Sequence, residues 1–130
     1  MMFEEDWLIR QIREIAAFVW SLLSGKSVRP VSGELRAEKE KAEAENLLYR
    51  RLMQLLRAGR LAEAEDALFA AARSEDPEAL KAGLLFYEEA NLLSDDALEG
   101  MGFRRKELSD GLIDLCAAYG IPRELLPRSD

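Results

Sequence analysis

Apolar residues along this chain recur at steps of three and four, and nowhere do they alternate with polar ones over the length of a strand. The first such pattern is Leu8, Ile12, Ile15, Val19 and Leu22, spaced 4-3-4-3. It predicts a long N-terminal helix over about residues 3–24 whose seam packs on the rest of the chain. Glu4, Glu5 and Asp6 suit the positive end of its dipole, and Gly25 with Lys26 suits its C-terminus. A second row, Ile9, Ala16, Trp20 and Leu23, lies beside the seam, and Phe18 adds a third direction. Beyond Ile15 this helix is apolar nearly all round, the pattern of a helix covered on more than one side.

The pattern lapses over "SVRPVSG", residues 27–33, which reads as a loop because proline and glycine interrupt regular structure. A second helix is expected over residues 34–58. Its first half, "ELRAEKEKAEAEN", is nearly all charge and alanine, with Leu35, Ala42, Tyr49 and Leu56 as a thin seam. Its second half gains a stripe of Leu48, Leu52 and Leu55, and Gly59 stops it. A third helix follows over 61–73. Asp76 before Pro77 marks a fresh start, since aspartate caps free amides and proline fits the first turn. On the fourth helix, running to about residue 93, Ala79, Gly83, Phe86, Ala90 and Leu93 set small residues around a large one. "SDDALEGMG" predicts one short helical turn, with Asp96 and Glu99 as a capping pair. A fifth helix over 104–119 turns Leu108, Leu112, Leu115 and Tyr119 inward, and "GIPRELLP" closes with a short turn.

The stretch "LLRAGRLAEAEDALFAAARSEDP" resembles a tetratricopeptide repeat, a helix-turn-helix unit of about 34 residues. Gly59 stands at the turn, and Ala64, Leu68 and Ala71 form the small–large–small face of the second helix. Leu52 departs from the usual small residue, Pro77 falls one place late, and a frame shifted by one repeat loses the match. An ordinary helical hairpin satisfies the same residues. Across its length the chain is also similar to a group of small bacterial proteins forming a family of unknown function. The carriers are "DWLIRQIREIAAF", "LLRAGRLAEAEDAL" and "GFRRKELSDGLIDLCAAYGI". That resemblance implies a repeat-like helical fold and transfers no catalytic residue.

Length and composition narrow the function. The 130 residues, 48% hydrophobic, suit a single all-α domain of antiparallel hairpins: an N-terminal helix (1–26), a loop (27–33) and a repeat-like body (34–130). The net charge of −7 is uneven: residues 1–74 carry 12 acidic and 12 basic side chains, and residues 75–130 carry 13 and 6. That balance opposes a general affinity for nucleic acid. With no histidine, Ser–His and Cys–His nucleophile pairs and imidazole metal sites are excluded. The single Cys116 rules out an internal disulfide and favours a cytoplasmic setting, with the thiol buried and inert. The acidic start lacks the basic region of a secretion signal, and the longest nearly apolar run, residues 15–23, is too short to span a bilayer.

Three charged constellations each have a plainer role. Glu40 and Glu43 with Glu63 and Asp66 loosely resemble the paired acids of helical Mg²⁺-dependent nucleotide hydrolases, but their helical positions place them on outer faces. Asp95, Asp96 and Glu99 lack the spacing of a calcium loop. Arg50, Arg51, Arg57, Arg60 and the "FRRK" at 103–106 lack aromatic interleaving, so they read as a solvated face rather than an RNA site. Neither cofactor nor metal is expected. The leading expectation is a non-enzymatic protein–protein interaction module, homodimeric through the N-terminal helix, with Trp7, Ile9, Ala16, Phe18, Trp20 and Leu23 as interaction residues. The alternatives are the carboxylate hydrolase and a peripheral membrane protein using the first helix. Arg10, Arg13 and Lys26 on that helix are offset by Glu4, Glu5, Asp6 and Glu14, a poor match to anionic lipid.

Overall fold

The computed structural model describes residues 4–24 and 32–128, with side chains described over 6–24 and 36–128. The described residues form seven α-helices and one 3₁₀ turn, with no strand among them: α1 (Glu4–Ser24), α2 (Ser32–Glu45), α3 (Leu47–Arg57), α4 (Leu61–Ala72), α5 (Pro77–Asn91), α6 (Asp95–Gly100), α7 (Arg105–Ala118) and the 3₁₀ turn Arg123–Leu125. Gly25, Lys26 and residues 27–31 of the expected loop lie outside the described residues, as does the side chain of Leu35. Ser32 and Gly33, expected in that loop, already belong to α2.

The long second helix breaks in two at Asn46. There the backbone turns extended (φ −104°, ψ 104°), and the side chain accepts a hydrogen bond from the Tyr49 amide at 3.0 Å. Its amide donates to the Glu78 carbonyl at 3.2 Å, fixing the break against the start of α5. The "AEAEN" pattern hides this because an asparagine inside a helical run carries no signal of its own until a tertiary partner claims it. The buried face of α3 is Tyr49, Leu52, Met53 and Leu56, with Leu48 and Leu55 only half-buried at its edges.

A glycine is required at the end of α3. Gly59 has φ +76°, and the Arg60 and Gly59 amides reach back to Leu55 and Leu56 carbonyls at 2.8 and 3.0 Å. This left-handed stop turns the chain into α4, which packs against α3. On α4 the expected Ala64 and Leu68 are buried together with Leu61, and Ala72 is buried in place of the expected Ala71, which is half-buried.

Helix α5 begins as its residues dictate: the Asp76 carboxylate caps the Glu78 amide at 2.9 Å and Pro77 takes the first turn. It then becomes the centre of the fold, packed against α1, α3, α4 and α7. Ala79, Gly83, Phe86 and Ala90 are buried, and so are Leu80, Leu84, Leu85 and Tyr87 on the other sides. Gly83 is needed for close approach: a Cβ there would lie 2.5 Å from Leu115 Cδ2 and 3.0 Å from Leu68 Cδ1. The α1 seam of Leu8, Ile12, Ile15 and Val19 is buried against α5 and α7, whereas Leu22, expected in the same seam, is 55% exposed beyond its end. The α6 cap is Ser94, which accepts from the Ala97 amide at 3.1 Å, so Asp96 and Glu99 do not form the expected capping pair. On α7, Leu108, Leu112 and Leu115 are buried; Tyr119, just past its end, is half-buried and donates to the Asp76 carbonyl at 2.6 Å.

Candidate functional site

Helix α1 distributes the expected interaction residues over three surfaces. Ala16 is buried in the core of its own chain. Ile9 and Trp20 lie on the flank that faces α2, where each lines a cleft. Trp7 and Phe18, three turns apart on a helix of about 100° per residue, lie on the opposite flank, and both are half-buried. Leu23 is half-buried and packs against the core. Phe18 and Trp20 therefore do not share one patch.

Sequence reasoning missed the larger of the two clefts, about 960 Å³. One wall is α1 with Ile9, Arg10 and Arg13; the other is α2 with Arg36, Lys39, Glu40 and Glu43. The floor comes from Tyr49 of α3 and from Glu88, Glu89, Asn91 and Leu92 at the end of α5. Two ion pairs cross it: Lys39 Nζ to Glu89 Oε1 at 2.7 Å and Arg57 Nη2 to Glu43 Oε1 at 2.6 Å. Glu88 is only 9% exposed. Burial raises its carboxyl above the ordinary range, against the pull of Lys39 and Arg13. Burial also raises the Tyr49 phenol, helped by Glu89 and Glu43. Its place directly after the apolar run Leu84 to Tyr87 of α5 was the available signal for Glu88.

The corner where α5 ends is held by Arg105, 3% exposed. Its guanidinium donates to the Asn91 and Leu93 carbonyls at 2.8 and 2.7 Å, to Asn91 Oδ1 at 3.2 Å and to Asp95 Oδ1 at 2.8 Å. Asn91 in turn donates to the Ile9 carbonyl of α1 at 3.1 Å, while Arg105 Nε is buried without a partner. One arginine thus satisfies the free carbonyls at the end of α5 and, through Asn91, fixes α1 beside the cleft. The "FRRK" segment is accordingly not a continuous basic surface: Arg105 is internal and Lys106 pairs with Asp110 at 3.1 Å. Arg60 pairs with Glu63 at 2.6 Å.

A second, half-buried carboxylate, Glu65, accepts the Tyr87 hydroxyl at 2.5 Å. Burial raises its carboxyl, Tyr87 opposes the rise, and Glu107, Asp66 and Asp114 add to it. Gly111 leaves room for this pair, because a Cβ there would meet both side chains. Cys116 is fully buried and its thiol is pushed up to about 12, by burial. The four acids that loosely resemble a magnesium site in sequence are separated. Glu40 and Glu43 line the cleft, while Glu63 and Asp66 are exposed on α4. Among the described residues no group of three His, Cys, Asp or Glu is placed to hold a metal ion, and no helix is long and apolar enough to cross a membrane.

The chain belongs to a family of unknown function (DUF6483), whose model matches residues 2–120. Comparisons with curated proteins and with solved structures give no match.

Proposed function

We propose that this member of a family without an assigned activity is a non-catalytic protein–protein interaction module of the cytoplasm. In this reading it forms a homodimer through the flank of α1 that carries Trp7, Phe18 and Leu22. The supporting observation is the uneven use of α1. Its seam is buried and its α2-facing flank lines the two clefts, while on the other flank Leu22 is 55% exposed next to half-buried Phe18, one turn earlier. Apolar surface of this kind marks partner sites, and a two-fold axis covers it twice with one self-complementary patch. A non-catalytic role accords with the absence of histidine and with a high-pKa, buried thiol. The pairing of Arg57, Arg60, Arg105 and Lys106 with carboxylates weighs against nucleic acid. The α3–α4 hairpin, with Gly59 at its turn, is the part of the fold to which we assign repeat-like character.

Sedimentation velocity at micromolar concentration tests the reading. The wild type should sediment as a dimer, and Phe18→Glu with Leu22→Glu should give a folded monomer. Ile12→Glu with Val19→Glu should instead unfold the chain, since both positions are in the core. A wild-type monomer would contradict the proposal.

A further inference from the structure

We propose that the trough between α1 and the α3–α5 face docks an amphipathic helix of a partner protein, and that α2 is the trough's resident place-holder. Helix α2 is unlike every other long helix of the fold. Its main backbone neighbour is α3, and no described side chain on it is buried. A half-buried Ala42 is its sole described apolar contribution against the core. This small residue lines a cleft of about 260 Å³ toward Trp20 and Leu85, and the cleft of about 960 Å³ toward Glu88 opens beside Arg36, Lys39, Glu40 and Glu43 of the same helix. The trough is therefore wide enough for a helix and underfilled by the one it holds.

The charges specify what fits. Lys39 and Glu43, one turn apart on α2, engage Glu89 of α5 and Arg57 of α3. A competing helix that repeats this lysine–glutamate pair, and carries a large apolar residue where α2 has Ala42, would keep both ion pairs. It would also cover Trp20 and the 71% exposed Leu92. Departure of α2 leaves its neighbour intact, because α3 has its own cap in Asn46, whose side chain is anchored to α5 rather than to α2. As an intramolecular competitor α2 acts at high effective concentration, so it sets a threshold that only a better-fitting helix exceeds.

The probe is a fluorescent 14-residue peptide of the α2 sequence carrying Ala42→Leu, stapled between positions 37 and 44 on its outer face. Its binding to the full chain is read by fluorescence anisotropy. The peptide should bind, and breaking the resident pairs with Lys39→Ala and Glu43→Ala in the chain should tighten binding by about tenfold or more. Introducing Ala42→Leu into the chain should weaken binding by a similar factor, and a peptide with the lysine and glutamate exchanged should not bind. Equal affinity for the three chains, equal binding of the exchanged peptide, or no binding to any form would overturn the proposal. So would a dimer that is lost on Trp20→Glu but kept on Phe18→Glu with Leu22→Glu, which would seat a second copy in the trough. The proposed α1 dimer stands or falls separately, by sedimentation.

Discussion

Helices α5 and α2 are nearly equal in length, 15 and 14 residues, and opposite in the reasons they exist. Helix α5 is "PEALKAGLLFYEEAN": it contains a glycine and a run of large side chains, and tertiary burial on every side holds it. Helix α2 is "SGELRAEKEKAEAE": its alanine, glutamate and lysine favour helix locally, and it contributes little to the core. The difference shows that helix formation and structural importance are separable. Removing packing from α5 should damage the whole fold, whereas removing helicity from α2 should damage α2 alone.

The largest effect is expected from Phe86→Ala. Phe86 is fully buried and meets Tyr87 edge-on with ring centroids 5.0 Å apart. Its truncation should cost about 3–5 kcal/mol, read from urea unfolding; a loss under about 1 kcal/mol would mean that α5 is not the centre. Gly59→Val is next. A β-branched residue forced to φ +76° should cost about 1–2 kcal/mol, although a Cβ there meets nothing within 4 Å. An unchanged melting temperature would show that the α3–α4 turn adapts.

A matched pair of exchanges sharpens the contrast. Gly83→Ala in α5 gains about 1 kcal/mol of helix propensity but drives a methyl into Leu115, at a cost of about 1–3 kcal/mol. The net should be a modest destabilisation, and a higher melting temperature would show that Leu115 yields easily. Glu65→Gln tests the half-buried carboxylate against Tyr87 of α5. Its raised folded value means that the native state holds the proton more tightly than the unfolded chain does. This group's contribution to stability is full below its ordinary value of 4.5 and is lost as pH rises through the raised one. Glutamine can still accept from Tyr87 without charge, so the variant should melt higher than wild type at pH 8, with the gain vanishing near pH 4. A gain independent of pH would point to packing instead. The smallest global effect belongs to Ala44→Gly on the exposed side of α2: about 1 kcal/mol lost from that helix and no shift in the main unfolding transition.

Much of this contrast is legible in the sequence. The small–large spacing through Gly83 and Phe86 identifies the α5 face, and the Asp76–Pro77 start and the Gly59 stop fix its neighbours. The thin seam of "ELRAEKEKAEAEN" already marks the first half of the second helix as poorly anchored. Less visible are features made by tertiary partners. The break at Asn46 depends on Glu78, thirty-two residues away, and the burial of Arg105 depends on the carbonyls exposed where α5 ends. The cleft was missed for a related reason. Glu88 and Glu89 are adjacent acids in the sequence, and only the fold buries one and pairs the other with Lys39. Helix one shows the limit of reading breadth as exposure: two of its apolar directions are taken up by α5, α7 and the α2 side, leaving the flank of Trp7, Phe18 and Leu22.

Native-state hydrogen exchange, resolved helix by helix, tests the separation of α5 from α2 most directly. Amides of Leu84, Phe86 and Tyr87 should exchange only through global unfolding, while those of Lys39 to Glu43 should exchange through a local opening several kcal/mol lower. Phe86→Ala should accelerate the first group and leave the second unchanged. Equal protection of the two helices, falling together in Phe86→Ala, would contradict the account and make α2 an integral part of the cooperative core.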